Sequence, residues 1–138
     1  MSYLVDTNVI SELIKPMPEP LVLSWAEQTS NTSLYISVLT LGEIKKGIAK
    51  LKDTPKQQRL NTWLEQDLPA WFRERILPID QNIAVRWGTL QAECGRSLSV
   101  IDSLLAATAL CHQLTLVTRN TCDFDFPGLT VINPWKGV

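Results

Sequence analysis

Short β-rich runs alternate with helix-patterned stretches along this chain, and the alternation limits its fold more than any other feature. Tyr3 to Val5, Leu34 to Ser37, Arg75 to Ile79, Leu114 to Thr118 and Leu129 to Ile132 read as strands. Between them lie helical stretches: Asn8 to Lys15, stopped by Pro16; Pro20 to Gln28; and Leu39 to Leu51, where Leu41, Ile44, Ile48 and Leu51 keep helical spacing. Three more follow: Lys56 towards Leu68, after the Asp53-Thr54-Pro55 break; Gln81 to Cys94, closed by Gly95; and Ser99 to Gln113. Strands separated by helical crossovers pair in parallel, and a parallel sheet needs helices on both faces. The pattern predicts an α/β fold around a central, mostly parallel sheet of about five strands.

At 138 residues the chain is long enough for one domain, expected to span 1–138, that buries roughly two-thirds of its unfolded surface. Apolar residues at 45% and charged residues at 20% are ordinary globular values, which sets aside disordered and low-complexity classes. The longest largely apolar run, around Leu104 to Cys111, falls well short of the ~20 residues a membrane-spanning helix needs. The N-terminus has no basic start followed by an apolar core, so a cytoplasmic protein with no membrane partner is expected. Cys94, Cys111 and Cys122 are odd in number and lack C-x-x-C spacing, which argues against a disulfide framework and a structural zinc site. His112 is the only histidine, late in an apolar helical run where a helix end is the natural reading, and this argues against Ser-His-Asp, Cys-His and multi-histidine metal chemistry.

Four stretches far apart in the chain each set one acid in apolar sequence: Leu4-Val5-Asp6-Thr7-Asn8, Leu41-Gly42-Glu43-Ile44, Ser99-Val100-Ile101-Asp102 and Thr118-Arg119-Asn120-Thr121-Cys122-Asp123-Phe124. Burying carboxylates together is costly unless a cation or shared protons compensate, and a hard divalent cation is the simplest compensator. In open α/β sheets ligand sites form beyond the carboxyl ends of the strands. Asp6 follows the first strand, Asn120 and Asp123 follow the Leu114 to Thr118 strand, and Asp102 falls in the first turn of its helix. Glu43 joins them only if the Leu39 helix crosses that end. Each acid also has a plainer reading. Asp6-Thr7-Asn8 is good N-cap chemistry, and Ser99-x-x-Asp102 matches a capping box. Glu43 lies on the side of its helix that carries Lys46 and Lys50, where a solvated ion pair is ordinary, and Asp123, with Asp125 close by, sits where Asx-turns are common. From spacing alone, a metal site and coincidence stand level.

The runs Leu4-Val5-Asp6-Thr7-Asn8-Val9-Ile10-Ser11-Glu12-Leu13, Ser37-Val38-Leu39-Thr40-Leu41-Gly42-Glu43-Ile44, Ile101-Asp102-Ser103-Leu104-Leu105-Ala106-Ala107-Thr108-Ala109 and Leu116-Val117-Thr118-Arg119-Asn120-Thr121-Cys122-Asp123-Phe124 resemble, in order, the four signature blocks of PIN-domain proteins. The likeness is greatest to the VapC and FitB toxins of that family, and it runs from residue 3 to Pro134. The resemblance implies a three-layer α/β/α PIN-like domain and a Mg2+-dependent endoribonuclease, with Mn2+ as a substitute. It also implies a type II toxin-antitoxin module: a homodimeric toxin neutralised by a cognate antitoxin, with which it forms a larger assembly on operator DNA. Carried over by position, the catalytic and metal-binding acids of the family fall on Asp6, Glu43, Asp102 and Asp123, with Thr7, Thr118 and Asn120 as supporting polar residues. One departure stands out. Many members carry an aspartate in the Thr118-Arg119-Asn120 portion, whereas here Asn120 is followed by an acid three residues later, which leaves direct ligation by Asp123, action through water, or a role for Asn120 open.

The implied reaction is attack of water on an RNA phosphodiester, leaving a 5′-phosphate and a 3′-hydroxyl, with transfer RNA or ribosomal RNA as target. A net charge of −1 is not that of a strong nucleic-acid binder, so local charge matters more. Lys45, Lys46, Lys50 and Lys52, with Lys56 and Arg59 beyond, form a candidate RNA-binding patch beside Glu43, or else a plain solvated helical face; Arg73, Arg75, Arg86, Arg96 and Arg119 are scattered. An antitoxin would place a basic side chain near the acidic pocket and an apolar helix in a groove. Trp25, Trp63, Trp71, Phe72 and Trp87 are expected mostly in the core. Two alternatives remain: a housekeeping PIN-type nuclease without an antitoxin, and a non-catalytic binding module.

Overall fold

The computed structural model describes residues 1–137; Val138, the last residue of the expected 1–138 domain, lies outside the described residues. The chain runs β1 (Tyr3–Val5), α1 (Thr7–Leu13), α2 (Pro20–Gln28), β2 (Leu34–Ser37), α3 (Val38–Ala49), α4 (Thr54–Thr62) and α5 (Leu68–Phe72). It continues through β3 (Ile76–Leu77), α6 (Gln81–Glu93), α7 (Val100–His112), β4 (Thr115–Val117) and β5 (Val131–Ile132). The strands form one sheet in the order β3-β2-β1-β4-β5, and each neighbouring pair is parallel.

Side chains alternate across the sheet with the period of two that a strand imposes. Leu4 and Leu116 pack on one face with Ile83 and Leu90 of α6 and Leu105 and Ala106 of α7. Val5 and Val117 pack on the other with Val9 and Ile10 of α1, Ile44 and Ile48 of α3, and Leu68 and Phe72 of α5. Two cores separated by one sheet make the three-layer α/β/α arrangement. Phe72 is fully buried, and Trp25, Trp63, Trp71 and Trp87 pack against the two cores, as expected of aromatics in a domain of this size. His112 is the last residue of α7, the three cysteines are free, and among the described residues no helix is long and apolar enough to cross a membrane.

Three elements differ from the sequence reading. The helix expected from Lys56 towards Leu68 begins at Thr54, capped by the Asp53 side chain on the Lys56 N–H, and continues through a π turn at Trp63–Asp67 into α5. Pro69 has no N–H to donate and its ring crowds the preceding turn, so the widened turn just ahead of it lets the helical path continue to Phe72. The strands expected at Arg75 to Ile79 and Leu129 to Ile132 shrink to two residues each. Both lie at the sheet edges, where short pairing is the rule, and Pro78 cannot donate to a ladder.

The topology puts a crevice where the acids lie. From β1 the chain moves to β2 and β3, then returns through α6 and α7 to β4 on the other side of β1. That reversal of strand order opens the space beyond the carboxyl ends of β1 and β4, directly above Asp6 and Thr118.

Candidate active site

Asp6 is held by the sheet itself. Its N–H donates to the Val117 carbonyl at 2.9 Å, extending the β1–β4 ladder one residue past the strand, while the Thr118 N–H donates to Ile132 at 3.0 Å. The two side chains meet: the fully buried Thr118 hydroxyl donates to Asp6 Oδ2 at 2.7 Å. Asp6 Oδ1 accepts the Thr7 N–H at 2.8 Å, so Asp6 also caps α1. Capping and site placement are not rivals here, because each carboxylate oxygen serves one of them. The Asn8 amide donates to Asp6 Oδ2 at 3.4 Å and to Thr118 Oγ1 at 3.3 Å, and its own oxygen accepts the Arg119 N–H at 3.4 Å. Asn8 thus ties the first acidic block to the last. The sequence reading took it as turn chemistry only, although its place two residues after Asp6 was the available signal.

Glu43 reaches this group because α3 starts directly after β2, with Ser37 Oγ accepting the Leu39 N–H at 3.1 Å, and so crosses the carboxyl end of the sheet. Its Oε1 accepts the Thr7 hydroxyl at 2.6 Å. The alternative of a solvated pair with Lys46 or Lys50 does not hold: the ion pair present among the described residues joins Lys15 and Glu12. Asp102 lies in the first turn of α7, where its N–H donates to Ser99 Oγ at 3.4 Å, half of the expected capping box. Asp123 lies in the single 3-10 turn Thr121–Phe124 after β4, anchored by buried Phe124, and shares a cavity wall with Asp102. Asn120 contributes its backbone N–H to Thr118 Oγ1 at 3.1 Å.

Electrostatics tie Asp6 and Asp102 to the other acids. Burial lifts the Asp6 carboxyl above its ordinary 3.8, the Thr118 and Thr7 bonds pull it back, and Glu43 and Asp123 push it up again. Asp102, half-buried, is also raised, first by burial and then by Asp6, Asp123 and Glu43, against a lowering contact with Ser99. The acids are gathered but not closed on one point: among the described residues no group of three or more His, Cys, Asp or Glu is placed to hold a metal ion. The donors are nevertheless all oxygens, the set that hard divalent cations take, and a cation is what the repulsion calls for.

Lys45, Lys46, Lys50 and Lys52 are exposed on α3 and the turn after it, and Lys45 donates to Asn61 at 2.7 Å. A groove of about 420 Å³ carries Thr7 and Glu43 at its edge, with Ile14, Ile44, Ile48, Leu51 and Leu60 along it; its lysines are Lys15 and Lys56, not those four.

A family model for the PIN domain matches residues 3–125. The chain belongs to the PIN-domain family. As a PIN-domain protein it is 36% identical over 135 residues to toxin FitB of Neisseria gonorrhoeae, covering 96% of this chain and 97% of that one. It is 35% identical to the VapC ribonuclease Y4jK of Sinorhizobium fredii over 96% of each chain. Among solved structures, FitAB bound to an IR36 DNA fragment superimposes with a TM-score of 0.87 at 34% identity, covering 96% of this chain and 95% of that one. A toxin-antitoxin complex from Klebsiella pneumoniae does so with a TM-score of 0.70 at 32% identity, covering 96% and 98%. The PIN fold accounts for the wholly parallel sheet and the helices on both of its faces.

Proposed function

We propose that this PIN-domain protein is a divalent-metal-dependent endoribonuclease, the toxin of a type II toxin-antitoxin module. The observation that carries the reading is the gathering of Asp6, Glu43, Asp102 and Asp123 at the carboxyl end of the sheet, with Asp6 and Asp102 raised by burial and mutual repulsion. The relatives' names, a VapC ribonuclease and a toxin, support the same assignment. Asp6 and Asp102 would hold a magnesium or manganese ion, with Glu43 and Asp123 completing the site directly or through water. Magnesium commonly uses one or two carboxylates, waters and substrate phosphate, so a set not closed by three acids suits it. When bound, such an ion lowers the pKa of water and offsets charge on the phosphate.

The chain's own residues do the positioning. Thr118 and Asn8 fix the Asp6 carboxylate between β1 and β4, and Thr7 fixes Glu43 over α1. Burial and repulsion raise Asp6 and Asp102 in the metal-free protein, strain that a bound cation would relieve, and the proton of attacking water would then pass to a carboxylate not engaged on the ion. The apolar groove ending at Glu43 is suited to an amphipathic antitoxin helix, whose basic side chain would sit among the acids in place of metal charge. A homodimer that joins its antitoxin on operator DNA completes the proposal, in keeping with the solved toxin-antitoxin and DNA-bound relatives.

Expression in bacteria tests this. The parent chain arrests growth, co-expression of the protein encoded immediately upstream relieves the arrest, and Asp6→Ala abolishes it. Arrest that survives Asp6→Ala would favour the non-catalytic binding module, and an absent antitoxin partner the housekeeping nuclease.

A further inference from the structure

We propose that Arg96 and Arg119 grip the RNA backbone from the two cavities that meet at Asp123, so that the strand crosses the site over that residue; this rests on the ribonuclease reading above. Asp123 is the wall shared by two cavities. One, of about 150 Å³, is lined by Arg96, Asp102 and Phe126, and the other, of about 660 Å³, by Arg119, Trp135 and Lys136. Both arginines are held in the same way, by an aromatic ring from the C-terminal segment. The Arg96 guanidinium lies 5.6 Å from the centre of Phe126, and that of Arg119 lies 5.2 Å from the centre of Trp135. Stacking holds a guanidinium by its face and leaves its N–H edge free for a phosphate, which suits arginine and not lysine.

Among the described residues no carboxylate lies within ion-pair distance of either arginine, although Asp102, Asp123 and Glu19 line the same cavities. Glu12, which feels Arg119 from a distance, is already engaged by Lys15 and by the Glu19 N–H. Phosphates flanking a scissile group beside Asp123 would be repelled unless cations stood near, and each of the two cavities that meet at Asp123 carries one arginine. An acidic protein segment could fill one cavity, but a regularly charged strand places an anion in both at once. The larger cavity falls within the size range of ordinary small-ligand sites and the smaller suits a phosphate. The grip therefore moves from the exposed lysines of α3 to two arginines beside the acids.

The test uses antitoxin-free protein carrying Asp102→Asn to stop turnover, with fluorescein-labelled bulk transfer RNA as probe, in anisotropy titrations over a range of salt. Arg96→Gln and Arg119→Gln each weaken binding roughly tenfold, as loss of one charge-assisted contact predicts. Each also flattens the salt dependence by roughly one ion. Arg96→Lys and Arg119→Lys retain the salt slope but lose part of the affinity. A quadruple Lys45→Gln, Lys46→Gln, Lys50→Gln, Lys52→Gln variant changes binding less than either arginine variant, and melting curves establish that each variant is folded. Arginine variants that bind RNA like the parent would overturn the proposal, and if they lost the antitoxin instead, the cavities would be protein-docking sites. A parent protein that neither binds nor cleaves RNA would refute the ribonuclease reading and this inference with it.

Discussion

Replacing Thr118 by valine removes one buried hydroxyl and nothing of its volume. That hydroxyl donates to Asp6 Oδ2 at 2.7 Å and accepts from the Asn120 N–H at 3.1 Å and the Asn8 amide at 3.3 Å. A hydrogen bond to a charged group contributes about 1.5–3 kcal/mol, and the two weaker donors are exposed enough to find water, so the expected loss at neutral pH is about 2–3 kcal/mol. With an unfolding entropy of roughly 2.1 cal/mol/K per residue, a chain of 138 residues should lose about 7–10 °C in Tm. The loss should also depend on pH. The folded Asp6 carboxyl is raised above 3.8, so its ionisation costs stability: nothing below the unfolded value, a growing amount as pH rises through the window between unfolded and folded values, and the full amount above it. Thr118 offsets part of that cost only while Asp6 is ionised. Calorimetric melts of the parent, Thr118→Val and Thr118→Ser in EDTA, at neutral pH and below 3.8, measure both effects. A valine variant within about 0.5 kcal/mol of the parent, or a loss unchanged by acid, would refute the geometry.

Magnesium at about a hundred times its dissociation constant should stabilise the protein by about 2.7 kcal/mol, with sodium at equal ionic strength ineffective and Asp102→Asn largely unresponsive; melting curves decide it. Thr7→Val, which frees Glu43 from its 2.6 Å bond, should leave the fold intact and lower activity or metal affinity by about 10- to 100-fold in cleavage assays and metal titrations. Ile14→Asp places a charge at the lip of the apolar groove and should weaken antitoxin binding by at least about 2 kcal/mol in calorimetric titration, while RNA cleavage by the free protein stays unchanged.

Much of the fold was legible because strands and helices left distinct periods in the sequence. Pro20 to Gln28 and Leu34 to Ser37 came out as read, and the Ser99 cap marked where α7 begins. The failures fell where local rules yield to neighbours: Pro69 reads as a stop until a wide turn ahead of it accommodates the ring, and the edge strands end early for want of a second neighbour. The acids were legible as four blocks but not as a group, since only strand order shows that β1 and β4 are adjacent and only the start of α3 shows that Glu43 crosses above them. Asn8 and the two arginines were missed for a similar reason. A short-range motif does not reveal that an amide bridges residues more than a hundred apart, or that Arg96 and Arg119 are stacked on Phe126 and Trp135.

The central claim is tested most directly by incubating purified antitoxin-free protein with total bacterial RNA and magnesium or manganese, beside Asp6→Ala, Asp102→Asn and an EDTA control, and sequencing the product ends. Discrete cuts bearing 5′-phosphates, dependent on metal and lost in both variants, are the predicted result. Folded protein that cleaves no more than its variants, or whose cuts persist in EDTA, would contradict it.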